Sequence, residues 1–176
     1  MRPKVTVYIA TSLDGFIARE DDGLDWLGSV QVEGEDYGYS TFMASVDTLI
    51  LGRKTWDVVT AFPEWPYAGK RVIVLSHRPI EPLGGVERYE GPLGPLLHRL
   101  VGEGVGHVYL DGGAAVRQGL SEGVVDELIL SLLPHLLGRG RPLFGPEVPE
   151  ASWTLVSATP YPASGLVQLR YAARQS

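Results

Sequence analysis

The chain of 176 residues is long enough for one domain with a substantial core, and its 44% hydrophobic and 20% charged content is that of an ordinary folded protein. A net charge of -6 provides no basic field to attract nucleic acid or an anionic membrane, and the absence of cysteine excludes disulfides, thiolate metal sites and a cysteine nucleophile. Because no stretch approaches the roughly 20 apolar residues of a membrane helix and the N-terminus lacks a secretory signal pattern, we expect a cytoplasmic protein.

The N-terminal part of the chain alternates strands with loops and helices. Residues 4–11 (KVTVYIAT) alternate as in a central strand, and a turn follows at 12–15. The segment 16–34 is polar and contains glycines, which predicts a long loop anchored only by Trp26 and Leu27. After this loop the pattern predicts a helix over 35–45, a strand over 46–51, a helix over 52–62 and a proline-rich surface connection over 63–69.

The C-terminal part continues the alternation. The apolar run 71–75 (RVIVL) is typical of a strand covered on both faces. The pattern then predicts a short strand over 86–89, a helix over 93–103, a strand ending in HVYLD, a helix over 114–122, a strand over 124–133, a loop over 138–145 and two strands over 153–160 and 165–173. We therefore predict a single α/β domain over 1–176, with a mostly parallel central sheet flanked by helices and a C-terminal antiparallel hairpin.

One strand end has the chemistry of an anion site. In HVYLDGGAAVRQG, a buried strand ends at Gly112-Gly113 and a helix begins. Glycine allows the backbone to approach a phosphate, and the first N–H groups of a helix have no partner within it. A tight strand-to-helix turn without a ligand is the alternative.

Two further strand ends match this chemistry. In LILGRKTW, cationic and hydroxyl side chains follow Gly52 at a helix start, and in VLSHRP they follow Leu75. The second group could accept a 2′-phosphate and would favour NADP over NAD, although a solvated helix start and a plain polar turn are the alternatives. Because ligands of open α/β sheets bind beyond the carboxyl ends of the strands, three such ends predict one dinucleotide site.

The same motifs carry a family resemblance. LILGRKTW, VIVLSHRP and the later Gly-Gly turn resemble the dihydrofolate reductase fold in this order, and SLDG together with LDGGAAVRQGLSEGVVDELILSLLPHLLG is similar to the reductase domain of riboflavin biosynthesis. The resemblance extends from about Val5 to Phe144. It is nearest to the small stand-alone proteins of the RibD C-terminal-like, dihydrofolate reductase-related family.

The resemblance implies an NADPH-dependent reductase that acts on a pterin-like or (ribosylamino)pyrimidine-like heterocycle. A catalytically silent nucleotide-binding or regulatory module on the same fold is the alternative. The resemblance also implies cofactor-binding residues: Ala10 at the nicotinamide; Gly52, Arg53, Lys54 and Thr55 at the pyrophosphate and adenosine; Leu75, Ser76, His77 and Arg78 at the 2′-phosphate; and Gly112, Gly113, Ala114, Ala115 and Val116 at the pyrophosphate.

Two departures leave the substrate open. Without cysteine the chain has no zinc-deaminase signature, so it is not the bifunctional riboflavin enzyme. GRKTW stands where riboflavin-type reductases usually have a threonine- and valine-rich segment, and Asp111 stands where folate reductases have a third glycine.

Hydride transfer to a C=N or C=O bond also needs a proton donor. Asp36 lies sixteen positions before Gly52, a spacing similar to that of the substrate carboxylate in folate reductases, but an Asp at a helix start is also favoured by the helix dipole. Asp14 in SLDG either contacts the substrate or makes the turn. Asp111 resembles a substrate-contacting acid of riboflavin reductases, or it caps its turn.

Trp26 could cover the nicotinamide or hold the long loop in place, and we favour the second role. The four histidines have no metal-ligand spacing, so we predict no metal, and no serine has the context of a nucleophile elbow. The predicted partner is a small heterocyclic substrate, with neither nucleic acid nor membrane, and the C-terminal strands could form a homodimer.

Overall fold

The computed structural model describes residues 1–81 and 83–174. The strands are β1 Lys4–Thr11, β2 Phe16–Ala18, β3 Thr48–Gly52, β4 Arg71–Leu75, β5 Val86–Tyr89, β6 His107–Asp111, β7 Glu127–Leu132, β8 Arg141–Pro142, β9 Trp153–Tyr161 and β10 Leu166–Ala173. The α-helices are α1 Tyr39–Ala44, α2 Arg53–Val59, α3 Leu93–Gly102 and α4 Gly113–Ser121, and a 3₁₀ helix spans Asp25–Val30.

The main sheet has eight strands in the order β5-β4-β3-β6-β1-β7-β10-β9. The strands from β5 to β7 in this order pair in parallel, whereas β10 pairs antiparallel with both β7 and β9. A second sheet consists of β2 and β8. This topology confirms the predicted α/β fold with a mostly parallel sheet and a C-terminal antiparallel hairpin.

The two faces of the sheet bury different clusters. Side chains such as Ile50 and Leu110 pack with α3 and α4, while the alternate positions, such as Leu51 and Tyr109, pack with α1 and α2. This arrangement follows from the alternation of side chains along a strand and from helices covering both faces of a parallel sheet. In the described residues, no helix has the length and apolarity needed to cross a membrane.

The register brings the carboxyl ends of the central strands together. Leu51 of β3 lies opposite Asp111 of β6, and Gly52 lies opposite Leu75 of β4. The three predicted phosphate-handling turns therefore leave the sheet side by side at one edge.

Several predicted element boundaries are wrong for local reasons. The predicted loop 16–34 contains β2 and the 3₁₀ helix, and the predicted loop 138–145 contains β8, which pairs with β2. Helix α1 starts only at Tyr39 because Tyr37 and Gly38 have φ values of 56° and 81°, which are not helical. The predicted helix 52–62 ends at Val59, and the predicted strand 124–133 begins at Glu127.

Candidate active site

A cleft of about 920 Å³ opens at the carboxyl edge of the main sheet. It is bordered by the ends of β1, β3, β4 and β6, by the starts of α2 and α4, and by β2 with the loop that follows it. This is the position where ligands bind in open α/β sheets.

Gly112 allows the starts of α2 and α4 to lie against each other. Gly112 has a φ of 100°, and a Cβ on it would lie 2.5 Å from the Thr55 Oγ1 and 3.3 Å from the Gly52 nitrogen. Neither helix start has a side-chain cap. The N-termini of α2 and α4 therefore lie close together, and their backbone N–H groups form a cradle that fits a pyrophosphate.

Arg53 and Ser76 connect the start of α2 to the end of β4. The Arg53 guanidinium donates to the Ser76 Oγ at 3.1 Å and to the Pro79 carbonyl at 3.0 Å. The Ser76 hydroxyl is held in turn by the Arg78 backbone N–H at 3.1 Å. The same hydroxyl donates to the Arg78 carbonyl at 2.8 Å, so it fixes the turn beside the Arg53 guanidinium. A guanidinium beside such a turn is a suitable partner for a phosphate monoester.

An acidic residue lies at the same end of the cleft. The Glu90 carboxylate is 2.9 Å from the His77 Nδ1 and 3.3 Å from Arg88, and Arg88 also donates to the Ser76 carbonyl. The hydrogen bonds from His77, the larger cause, and from Arg88 lower the pKa of Glu90. The end of the cleft formed by Arg53 and the turn after β4 is therefore rich in basic side chains, with the Glu90 carboxylate among them.

The other end of the cleft is phenolic. We call this region the phenolic end; it consists of Tyr8, Tyr39, Tyr67, Tyr109 and Asp111. The Tyr8 and Tyr39 rings meet edge-on at 5.7 Å, and the Tyr109 hydroxyl donates to the Tyr8 carbonyl at 3.0 Å. Burial, followed by the charge of Asp111, raises the pKa of both Tyr39 and Tyr67.

Asp111 borders the cleft but is largely removed from water. This burial raises the pKa of its carboxyl to about 6, although the Gly112 N–H, which donates to it at 2.9 Å, works in the opposite direction. A carboxyl group with such a pKa exchanges a proton near neutral pH, which suits an acid or base catalyst.

A charged cluster lies at the mouth of the cleft. The Asp22 Oδ1, in the loop after β2, accepts from the Arg141 Nε at 3.0 Å and from the Lys54 Nζ at 3.3 Å. The small β2–β8 sheet is thereby tied to the start of α2 across the cleft.

Most of the predicted cofactor residues border this one cleft. They are Ala10, Gly52, Arg53, Lys54, Thr55, Leu75, Ser76, His77, Arg78, Gly112, Gly113, Ala114 and Ala115. Val116 does not: it is fully buried on the core side of α4. Of the predicted substrate residues, Asp111 borders the cleft.

The other predicted substrate residues lie outside the cleft lining. Asp14 accepts from the Ser12 hydroxyl at 2.6 Å and from the Gly138 N–H at 2.7 Å, and these bonds, the first being the largest cause, lower its pKa to about 2. Asp36 is exposed and accepts from the backbone N–H of Ser40 at 3.0 Å, as an N-terminal helix cap does. Both carboxylates therefore hold loops in place.

Trp26 is also outside the cleft lining. It packs with Val30, Leu133 and Leu166, and its ring stacks on that of His135 at 6.2 Å. It anchors the loop after β2 to the sheet, while its neighbours Leu24 and Leu27 border the cleft.

Sequence reasoning missed the four tyrosines of the phenolic end, together with Arg117 and Arg141. Tyr8 and Tyr109 lie in apolar strands and look like core residues in the sequence. The signal that could have found them is a phenol near the carboxyl end of a strand, at the edge where the glycine turns were already expected.

Known proteins agree with this architecture. The model of the RibD C-terminal domain family matches residues 91–166. Uncharacterized protein YwjB of Bacillus subtilis (strain 168) is 37% identical over 154 residues, which cover 82% of this chain and 84% of YwjB.

The chain belongs to the RibD C-terminal domain family. This confirms the resemblance noted in the sequence. A solved structure from Shewanella sp. PV-4, provisionally named a riboflavin biosynthesis protein, superposes with a TM-score of 0.90 at 36% identity, covering 99% of this chain and 100% of that one.

The fold is shared with more distant members of the RibD group. A Thermotoga maritima diaminohydroxyphosphoribosylaminopyrimidine deaminase/5-amino-6-(5-phosphoribosylamino)uracil reductase has a TM-score of 0.71 at 15% identity, covering 98% of this chain and 57% of that protein. At this identity the match shows the fold alone, which is the dihydrofolate reductase-like fold expected from the sequence.

Proposed function

We propose that this chain, as one domain over residues 1–176, is an NADPH-dependent reductase that transfers a hydride to a pterin-like or (ribosylamino)pyrimidine-like heterocycle. One observation carries the proposal. Arg53, the turn Ser76–Arg78 and the glycine junction at Gly112 leave three different strands and border the same cleft. The family match and the reductase named among its structural relatives also support this role.

The chain's own residues provide the parts of a dinucleotide site. The starts of α2 and α4 would hold the pyrophosphate, and Arg53, Ser76 and Arg78 would hold the 2′-phosphate. The nicotinamide would lie near Ala10, where a small side chain leaves room for a flat ring. When bound there, the reduced nicotinamide supplies the hydride.

The phenolic end would bind the substrate. In the reaction, a C=N or C=O carbon gains the hydride while its nitrogen or oxygen gains one proton. Asp111 is the acid in the cleft whose pKa, about 6 because of burial, allows it to hold and release that proton. The protonated form is required, so we expect kcat to fall as the pH rises above about 6.

The silent-module alternative gains support from the placement of Asp14 and Asp36, because two of the three predicted acids lie outside the cleft lining. Asp111→Asn separates the two functions. The reductase loses at least tenfold in kcat, whereas a module without turnover has no NADPH oxidation to lose.

Equilibrium titration with NADPH and NADH, followed by tryptophan fluorescence, tests the cofactor. Arg78→Ala should weaken NADPH binding about tenfold and leave NADH unchanged, because one charged hydrogen bond to a phosphate contributes about 1.5 kcal/mol. Arg99→Ala, on α3 and away from the cleft, is the matched control and should change neither affinity. Absence of binding of both nucleotides below millimolar concentration would remove the proposed function, and equal affinity for both would remove the assignment of the 2′-phosphate site.

Exposed apolar side chains on β9, Leu155 and Val156, support the further proposal of a homodimer through the C-terminal strands. Sedimentation of the purified protein at two concentrations tests it, and a monomer at both would contradict it.

A further inference from the structure

The basic side chains of the cleft lie away from the phenolic end, together with the carboxylates of Asp22, Glu90 and Glu122. Among the described residues that border the cleft, the basic side chains lie on α2, on the turn after β4, on α4 and on β8: Arg53, Lys54, His77, Arg78, Arg117 and Arg141. The phenolic end, which is formed by β1, α1, β6 and Tyr67, contributes four phenols and one carboxylate and no basic side chain.

We propose that the substrate of this site is a planar nitrogen heterocycle that carries no phosphate group. The proposal rests on the proposed function, because it assigns the phenolic end to the substrate and the cationic end to the nucleotide. It narrows the two substrate classes named above to members without a phosphate ester.

The inner wall of the phenolic end is neutral. The Tyr8 hydroxyl donates to the Tyr37 carbonyl at 2.7 Å, and the Gln168 amide of β10 donates to the Tyr8 hydroxyl at 3.3 Å and to the same carbonyl at 3.0 Å. These groups satisfy one another and carry no charge, and of the three only Tyr8 borders the cleft, so this side of the phenolic end offers a bound ligand no cation. A phosphate placed here would lose its water without gaining the charged partners that phosphates require.

Asp111, the carboxylate of the phenolic end, makes the binding of a phosphate there still less favourable. Asp111 is close enough to Tyr39 and Tyr67 for its charge to raise the pKa of both, after the larger effect of burial. Above a pH of about 6, where the Asp111 carboxyl is ionised, a phosphate among these side chains would face a like charge in a poorly hydrated site. A ring N–H or amino group, by contrast, would find an acceptor in Asp111 and flat faces in the tyrosine rings.

The cations at the mouth of the cleft are already engaged by protein groups. Lys54 and Arg141 share the Asp22 carboxylate at 3.3 and 3.0 Å. Arg117 is 2.7 Å from the Glu147 carboxylate and donates to the Pro142 carbonyl at 2.8 Å. A phosphate reaching outward from the phenolic end would therefore compete with carboxylates for these partners, as a phosphate at Arg53 would compete with Asp57, which lies 3.0 Å from the Arg53 Nε.

The test compares two molecules that differ only in phosphate: 7,8-dihydroneopterin and its 3′-phosphate ester. A second pair, 5-aminouridine and 5-aminouridine 5′-monophosphate, represents the pyrimidine class. Dissociation constants are measured by titration calorimetry, with the protein saturated with NADPH and again without nucleotide. We expect the unphosphorylated member of at least one pair to bind the NADPH-loaded protein at least tenfold more tightly than its phosphorylated partner.

Two variants link this preference to the phenolic end. Asp111→Asn should weaken binding of the unphosphorylated ligand and bring the dissociation constants of the two members of a pair closer together. Tyr39→Lys should shift the ratio of these two dissociation constants at least tenfold in favour of the phosphorylated ligand. Asp47→Asn is the matched control for the first variant, because Asp47 caps the N–H groups of Gly106 and His107 at the opposite edge of the sheet. It should leave the ratio unchanged.

Equal or tighter binding of the phosphorylated members would overturn the proposal, as would the absence of binding of all four compounds at millimolar concentration. Either result with intact NADPH binding leaves the proposed reductase function standing. If NADPH does not bind, the proposed function is contradicted. The dissociation constants measured without nucleotide then still show whether the site prefers the unphosphorylated ligand.

Discussion

At the scale of single residues, Asp111 combines a role in the site with a cost to the fold. Its carboxyl has a pKa of about 6, raised by burial from the ordinary value of 3.8. In the unfolded chain the group ionises at the ordinary value, so between these two pH values the folded state binds more protons. The free energy of unfolding therefore falls as the pH rises from about 4 to about 6, and the full cost is present above that range.

Asp111→Asn should remove this cost. We expect the variant to exceed the parent in free energy of unfolding by about 1 to 3 kcal/mol at pH 8, since one pKa unit corresponds to about 1.4 kcal/mol and residual contact with water reduces the effect. At pH 4 the two proteins should be about equally stable. Urea unfolding at both pH values measures the difference, and a gain that does not depend on pH would contradict the assignment.

Gly112 is the second residue on which the site depends. Gly112→Ala introduces a Cβ at 2.5 Å from the Thr55 Oγ1 on a backbone with φ of 100°. It should weaken NADPH binding at least tenfold and destabilise the protein by about 1 to 3 kcal/mol through strain and steric overlap.

Gly104→Ala is the matched control for Gly112→Ala. Gly104 has a φ of 86° with open space around its Cβ direction, and it lies outside the cleft lining. The control should lose stability through backbone strain and keep its affinity for NADPH. Equal affinities for NADPH in the two variants would show that the glycine junction does not hold the nucleotide.

At the scale of elements, the short helix α1 depends on its first turn. Asp36 accepts from the N–H groups of Gly38 and Ser40 at 3.0 Å each. The Ser40 side chain first, and then these backbone N–H groups, lower the pKa of Asp36. Asp36→Ala should lower the melting temperature by a few degrees through loss of the cap, with no change in kcat. Asp36→Ser, which preserves a capping oxygen, should restore the melting temperature.

These two variants also separate a structural from a catalytic Asp36. If Asp36 were the substrate carboxylate that the spacing to Gly52 suggested, Asp36→Ser would remain stable but lose most of its turnover. Steady-state NADPH oxidation beside a thermal melt distinguishes the two outcomes.

The elements differ in how far the sequence could predict them. The strand β4 has the predicted bounds, because a buried parallel strand is a short apolar run ended by turn residues. The β2–β8 pair was missed, since strands of three and two residues have too few positions to show an alternating pattern. Its pairing depends on the tertiary position of two loops more than 120 residues apart.

At the scale of the whole molecule, the basic side chains of the site and Asp111 were predictable, and the four phenols were not. Glycines with neighbouring cations at strand ends are local signals, and parallel pairing then brings them to one edge. Tyr8, Tyr39, Tyr67 and Tyr109 converge only after folding, and each could equally be a core residue. The role expected of Asp36 followed from sequence spacing alone, which does not give the direction of a side chain.

The proposed reductase function requires that three separate turns hold one nucleotide. A crystal structure of the protein grown with NADPH tests this most directly. We predict the 2′-phosphate within hydrogen-bond distance of Arg53, Ser76 or Arg78, the pyrophosphate against the backbone N–H groups that follow Gly112, and the nicotinamide beside Ala10. Nucleotide bound elsewhere, or bound in this cleft with its pyrophosphate away from the starts of α2 and α4, would contradict the account.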